Sequence, residues 1–187
     1  MSPMQEWVGI SGLALALAAG WLDWRSRRIP NWLTVTGSIA GLALNSFVAH
    51  WRGFEAGLEG AGLALGLLLP LVLLRTLGAG DWKLMGALGA FWGPGPILMV
   101  LLVSVFVAGL MAVVEVVRLK RVKETVRNMV ILVHGVFTFG VRPGSPISLD
   151  QPGVLAIPFG VAAAFGALLI YGLGYLGLAS HALKAWR

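Results

Sequence analysis

The sequence contains no cysteine. Disulfide scaffolds, cysteine nucleophiles, thiolate metal centres and zinc-knuckle modules are thereby excluded. Charge is scarce as well: 14 Lys and Arg with 8 Asp and Glu make up 12% of the 187 residues, about half the share found in soluble domains. So few charged side chains cannot cover a water-soluble domain of this size, which excludes a soluble enzyme; a chain this apolar is not disordered either. The three histidines, His50, His134 and His181, stand far apart in the sequence, so no metal site is expected. No phosphate loop, Ser/His/Asp set, dinucleotide fingerprint, internal repeat or low-complexity tract is present, and no cofactor is expected.

What is abundant is apolar sequence: 58% of the residues are hydrophobic and the mean hydropathy is +0.85. A helical span takes about 20 residues, so this length allows about six. The expected fold class is all-α: a polytopic membrane helix bundle of about six transmembrane helices, with residues 1–187 forming a single integral membrane domain. The net charge of +6 does not indicate nucleic acid, because the basic residues form short clusters beside apolar runs without interleaved aromatics. They fit topology signals and contacts with the headgroups of a lipid bilayer.

The apolar runs cover residues 7–22, 32–49, 60–77, 97–117 and 155–178, with a short piece at 82–92. No Lys or Arg precedes the first run, whereas Arg25, Arg27 and Arg28 follow it, the reverse of a cleavable signal peptide, so the N-terminus is expected outside. With a loop of Arg52, Glu55 and Glu59 outside, the inner side holds Arg25, Arg27, Arg28, Arg75, Lys83, Arg118, Lys120, Arg121, Lys123, Arg127 and Arg142, and the outer side only Arg52, Lys184 and Arg187. The inverse topology is far poorer. The 82–92 piece, about 16 Å of helix, is too short to cross about 30 Å of hydrocarbon before Gly93-Pro94-Gly95-Pro96 breaks it. Its start must therefore lie below the inner headgroups. Residues 128–140, also too short, read as an interfacial or re-entrant element. Tryptophans near run ends, including Trp7, Trp32, Trp82 and Trp186, are expected as interface anchors, and the 26 glycines as close helix contacts.

Three aspartates occur: Asp23, Asp81 and Asp150. The first two fall at the inner ends of the first and third runs, on one side by this topology. Ionisable groups at membrane depth are costly and point to function. Two carboxylates close together share a proton; the ionised one draws a proton from water while the protonated one polarises a carbonyl. Their structural alternatives are a headgroup-level helix end for Asp23 and an N-cap after Gly78-Ala79-Gly80 for Asp81. Asp150, in Ser148-Leu149-Asp150-Gln151-Pro152, reads as a turn former.

The surroundings are Asp23-Trp24-Arg25-Ser26-Arg27-Arg28-Ile29-Pro30-Asn31 and Gly78-Ala79-Gly80-Asp81-Trp82-Lys83-Leu84. An aspartate followed by I-P-N and then by G-x-G-D-x-K-L resembles the type IV prepilin peptidases, membrane aspartyl proteases of archaea and bacteria. Ile157-Pro158-Phe159-Gly160 resembles that family's I-P-F-G/A stretch, and the likeness runs from about Trp7 to Leu178. It implies that Asp23 and Asp81 are the catalytic pair, acting without a metal. It also implies that the substrate is a pilin-like precursor whose short basic leader is removed at the cytoplasmic face of a prokaryotic cytoplasmic membrane. Larger bacterial members carry a cysteine-containing N-terminal region and also methylate the product. This chain resembles the small peptidase-only members serving Flp/Tad pili or archaeal flagella, so methyl transfer is not expected. Supporting roles are expected for Gly78 and Gly80, by close approach around Asp81, and for Lys83, by its positive field or by positioning a carbonyl. Pro30 and Asn31 are expected to redirect the chain, with Asn31 capping the second helix. The rival readings are a presenilin-type general intramembrane protease, which shares G-x-G-D, and a proton-coupled transporter or assembly scaffold using the aspartates as ion sites.

Overall fold

The computed structural model describes residues 3–74, 76–120 and 158–175, with scattered positions between 122 and 130. Its helices are α1 (Pro3–Ser26), α2 (Asn31–Leu73), α3 (Ala79–Trp92), α4 (Pro94–Arg118) and α5 (Phe159–Tyr175), and no strand occurs among the described residues. The all-α class is met. Three helices are long and apolar enough to cross a membrane: Met4–Ser26, Asn31–Leu73 and Pro94–Arg118. Most of the expected interfacial piece at 128–140, with His134, lies outside the described residues, as do Arg142, Asp150, Ile157 and the tail with Lys184, Trp186 and Arg187.

α2 is a hairpin rather than one rod. At Ala49 (φ −125°, ψ 17°) and His50 (φ 53°, ψ −134°) the backbone leaves the helical region. The chain then folds back, so that a Cβ added to Gly57 would sit 3.0 Å from Leu42 Cδ2, and one added to Gly53 would strike the Asn45 carbonyl. The arms, residues 31–48 and 51–73, are roughly 27 and 34 Å long. This corrects the loop expected around Arg52, Glu55 and Glu59: the reversal takes only two residues and Trp51 onward is helical. Glycine makes the tight return possible, because Gly53, Gly57 and Gly60 form the buried stripe of the returning arm.

α3 is the centre of the bundle and packs against all four other helices. Every residue from Leu84 to Trp92 is buried. Gly60 and Gly89 meet backbone to backbone, leaving no room for a Cβ on either. Between lipid-solvated helices such close packing and interhelical hydrogen bonds, rather than escape from water, provide the association energy. At about 21 Å, α3 ends at a depth where its last carbonyls need protein partners. Asn45 provides them, its Nδ2 donating to Ala90 O and Phe91 O at 2.8 Å each. Indole donors fix the other sides: Trp82 Nε1 to Leu65 O (2.8 Å) and Trp92 Nε1 to Gly9 O (3.3 Å).

The Gly93-Pro94-Gly95-Pro96 break is narrower than the sequence suggests. Only Gly93 leaves the helix (φ 72°, a glycine conformation), and α4 begins at Pro94. Proline fits there because the first helical turn lacks acceptors for its amides in any case. Large apolar side chains that point outward, such as Trp7, Phe47 and Phe106, form a surface suited to lipid.

Candidate active site

Four chain segments converge at the end of the bundle opposite the α2 turn: the end of α1, the start of α2, the start of α3 and the start of α5. Asp23 lies on the last turn of α1 and is only 6% exposed, one of three buried polar residues among the described ones. An anion near a helix C-terminus is opposed by that helix's dipole. The start of α5 offsets this: the Gly160 amide donates to Asp23 Oδ2 at 2.8 Å, and the neighbouring Val161 amide, which donates to Pro158 O at 3.1 Å, also favours the carboxylate. Gly160 is the second residue of the helix, where an amide has no carbonyl partner within it. The Arg27 charge also acts on Asp23.

Asp81 is held differently. Gly78, extended at φ −67° and ψ 140°, is the N-cap of α3, so Asp81 is the third helical residue and not the cap itself. Its carboxylate reaches back to the Gly78 amide, the acidic half of a capping box. A Cβ on Gly78 would stand 2.9 Å from Asp81 Oδ2. A side chain at Gly78 would thus crowd this carboxylate. At Gly80 a Cβ would lie 3.4 Å from Ile29 Cβ, an ordinary contact.

The two carboxylates are brought into one neighbourhood, with the charge of Asp23 acting on Asp81. Ile29 stands between their supports, facing Gly80 on one side and placing Cδ1 3.1 Å from where a Gly160 Cβ would be. Pro30 and Asn31 follow directly. The N-cap of α2 is Pro30 (φ −69°, ψ 139°) and there is no side-chain cap bond, so Asn31 does not cap as expected. Instead Asn31 Oδ1 accepts from Lys83 Nζ at 3.0 Å, tying the start of α2 to the start of α3. Lys83 thus acts here as a tether between these two helix starts. Among the described residues no group of His, Asp and Glu is arranged to hold a metal ion.

Gly160 is the site residue that reasoning from sequence passed over. Its partner Asp23 lies 137 positions away, and the only signal was Pro-Phe-Gly opening an apolar run. A glycine at the second position of a helix leaves room for a side chain to reach its amide, which has no carbonyl partner within the helix.

The sequence profile of the type IV leader peptidase family matches residues 10–113, more than half of the chain, and the chain belongs to that family. It is accordingly a membrane protease of the leader-peptidase kind. No curated protein and no solved structure gives a significant match. The matched segment contains Asp23, Asp81 and the tether between Asn31 and Lys83 but stops within α4.

Proposed function

We propose that this protein is an aspartic endopeptidase that removes the short basic leader from type IV pilin-like precursors. Asp23 and Asp81 act as the pair that activates a water. One carboxylate takes a proton from the water, the other, protonated, donates to the scissile carbonyl oxygen, and the new C–O bond gives a tetrahedral diol. Collapse of the diol breaks the C–N bond, and a proton passes from the acid pair to the departing amine. Gly78 seats Asp81, while Pro30, Asn31 and Lys83 hold the loop ends that border the pair. The reaction is proteolysis alone, without methyl transfer.

The observation that carries this reading is geometric: two acids 58 positions apart are seated at one end of an apolar bundle, with Ile29 packed against the support of each. Each is seated on amides at a helix start. Family membership supports the peptidase class. The charge asymmetry of the sequence supports a six-span arrangement with the N-terminus outside and the pair at the cytoplasmic side of a prokaryotic cytoplasmic membrane.

The test is cleavage of a prepilin with a basic leader by the purified chain in lipid vesicles. Asp23→Asn and Asp81→Asn should each lower turnover by roughly 10³-fold or more, with insertion unchanged, because each removes one partner of the proton transfer. Either variant trimming at the parental rate would falsify the pair and favour the ion-site reading. Equal cleavage of unrelated transmembrane peptides would instead favour the presenilin-type reading.

A further inference from the structure

We propose that the start of α5 is a positioning element of the catalytic centre, with Gly160 as its key residue. This rests on Asp23 being one of the pair. Two observations converge on it. The Gly160 amide donates to Asp23 Oδ2 at 2.8 Å in a buried setting. A Cβ on Gly160 would come 2.9 Å from Asp23 Cβ, 3.0 Å from Oδ2 and 3.1 Å from Ile29 Cδ1, so any larger residue displaces the acid or the isoleucine beside it.

The consequence is geometric. Asp23 sits at the end of α1, where rotation about its side-chain bonds would otherwise be limited only by packing. The Gly160 amide of a second helix holds the carboxylate, and oxygen lone pairs not used by that amide remain for water. The backbone dihedrals at Gly160 are helical and need no glycine; the requirement is space. Because α5 lies beyond the family-matched segment, the centre is assembled from both halves of the chain, and the two aspartates with their flanking motifs do not complete it.

The experiment compares two substitutions in the same helix. Gly160→Ala crowds Asp23, whereas Gly166→Ala crowds Ser104 Oγ (2.6 Å) at the contact with α4, away from the acids. Both disturb the packing of α5, so thermal stability of the full chain in vesicles is measured for each. Gly160→Ala should lower kcat on a prepilin about 100-fold with KM within about twofold, the loss expected when a reacting group is displaced by about 1 Å. Gly166→Ala should lose stability comparably and keep kcat within a few-fold. If Gly160→Ala does not insert, the double variant Gly160→Ala/Ile29→Val, which removes the Ile29 Cδ1 that the new methyl would meet at 3.1 Å, keeps the crowding of Asp23 and should still lower kcat selectively. Parental kcat in Gly160→Ala, or losses that follow stability equally in both variants, overturns the proposal. Asp23→Asn is run beside them. An inactive Asp23→Asn with an active Gly160→Ala removes the role of α5 and leaves the catalytic pair standing, whereas an active Asp23→Asn removes both.

Discussion

The two aspartates are held in place by opposite strategies. Asp81 is seated by its own helix: the residue three positions before it donates the amide, and the whole device fits within Gly78-Ala79-Gly80-Asp81. Asp23 is seated by a helix 137 positions away, while the end of its own helix contributes an unfavourable terminus that the Arg27 charge eases. A locally built seat forms whenever α3 forms. A remote seat forms only when α1 and α5 are docked. The contrast predicts that Asp81 geometry survives changes elsewhere in the bundle, while Asp23 geometry reports on how the bundle is assembled.

Beyond the pair itself, the largest effect should come from crowding the two seats. Gly160→Ala acts on a buried acid held by the amide of that same residue, and its Cβ meets Asp23 Cβ as well as the carboxylate. Gly78→Ala meets only Asp81 Oδ2, the far end of a side chain that can turn aside. Turnover should therefore fall about tenfold for Gly78→Ala, equivalent to about 1.4 kcal/mol of transition-state stabilisation, against about 100-fold for Gly160→Ala. Steady-state kinetics on one prepilin ranks the two, and the reverse order would break the distinction between local and remote seats.

A smaller effect is expected at the tether. Lys83 Nζ and Asn31 Oδ1 join the starts of α3 and α2 at 3.0 Å, in a setting exposed enough that water competes for both groups. An exposed hydrogen bond with one charged partner contributes about 1 kcal/mol at most. Lys83→Met should lower turnover by a few-fold, and Asn31→Ala by the same amount. The double variant should be no worse than either single one, because both remove one contact. Additive losses would instead give Lys83 a task of its own at the substrate.

These differences also explain what could be learned from sequence. The membrane class followed from composition, and the existence of most helices followed from the length of apolar runs, because both depend on local apolarity. The closeness of Gly78 to Asp81 is legible because only three positions separate them, although Asp81 lies at the third helical position and not at the cap. The hairpin turn was not: nothing local distinguishes a helical residue 52 from a looped one, and the reversal at Ala49 and His50 is set by glycines packing across the arms. Propensity alone makes Asn31 a cap, whereas the nearby Lys83 offers its side chain a charged partner. Gly160 was visible only as part of a motif, since its function is a contact with a residue from the opposite end of the chain.

The smallest expected effect is the most discriminating for the motif. Sequence reasoning gives Gly78 and Gly80 the same importance, as the two glycines of G-x-G-D. The structure separates them. A Cβ at Gly80 would lie 3.4 Å from Ile29 Cβ and 3.5 Å from Ile29 O, ordinary packing distances, and Gly80 is the second residue of α3, where alanine is the better helix former by up to about 1 kcal/mol. Gly80→Ala should therefore keep turnover within about twofold of the parent and leave thermal stability equal or slightly higher. A large loss of turnover at unchanged stability would show that something other than the resting packing, namely the approach of substrate backbone to the start of α3, requires the bare backbone at this position. That result would move Gly80 from the seat of Asp81 to the surface that receives the scissile bond.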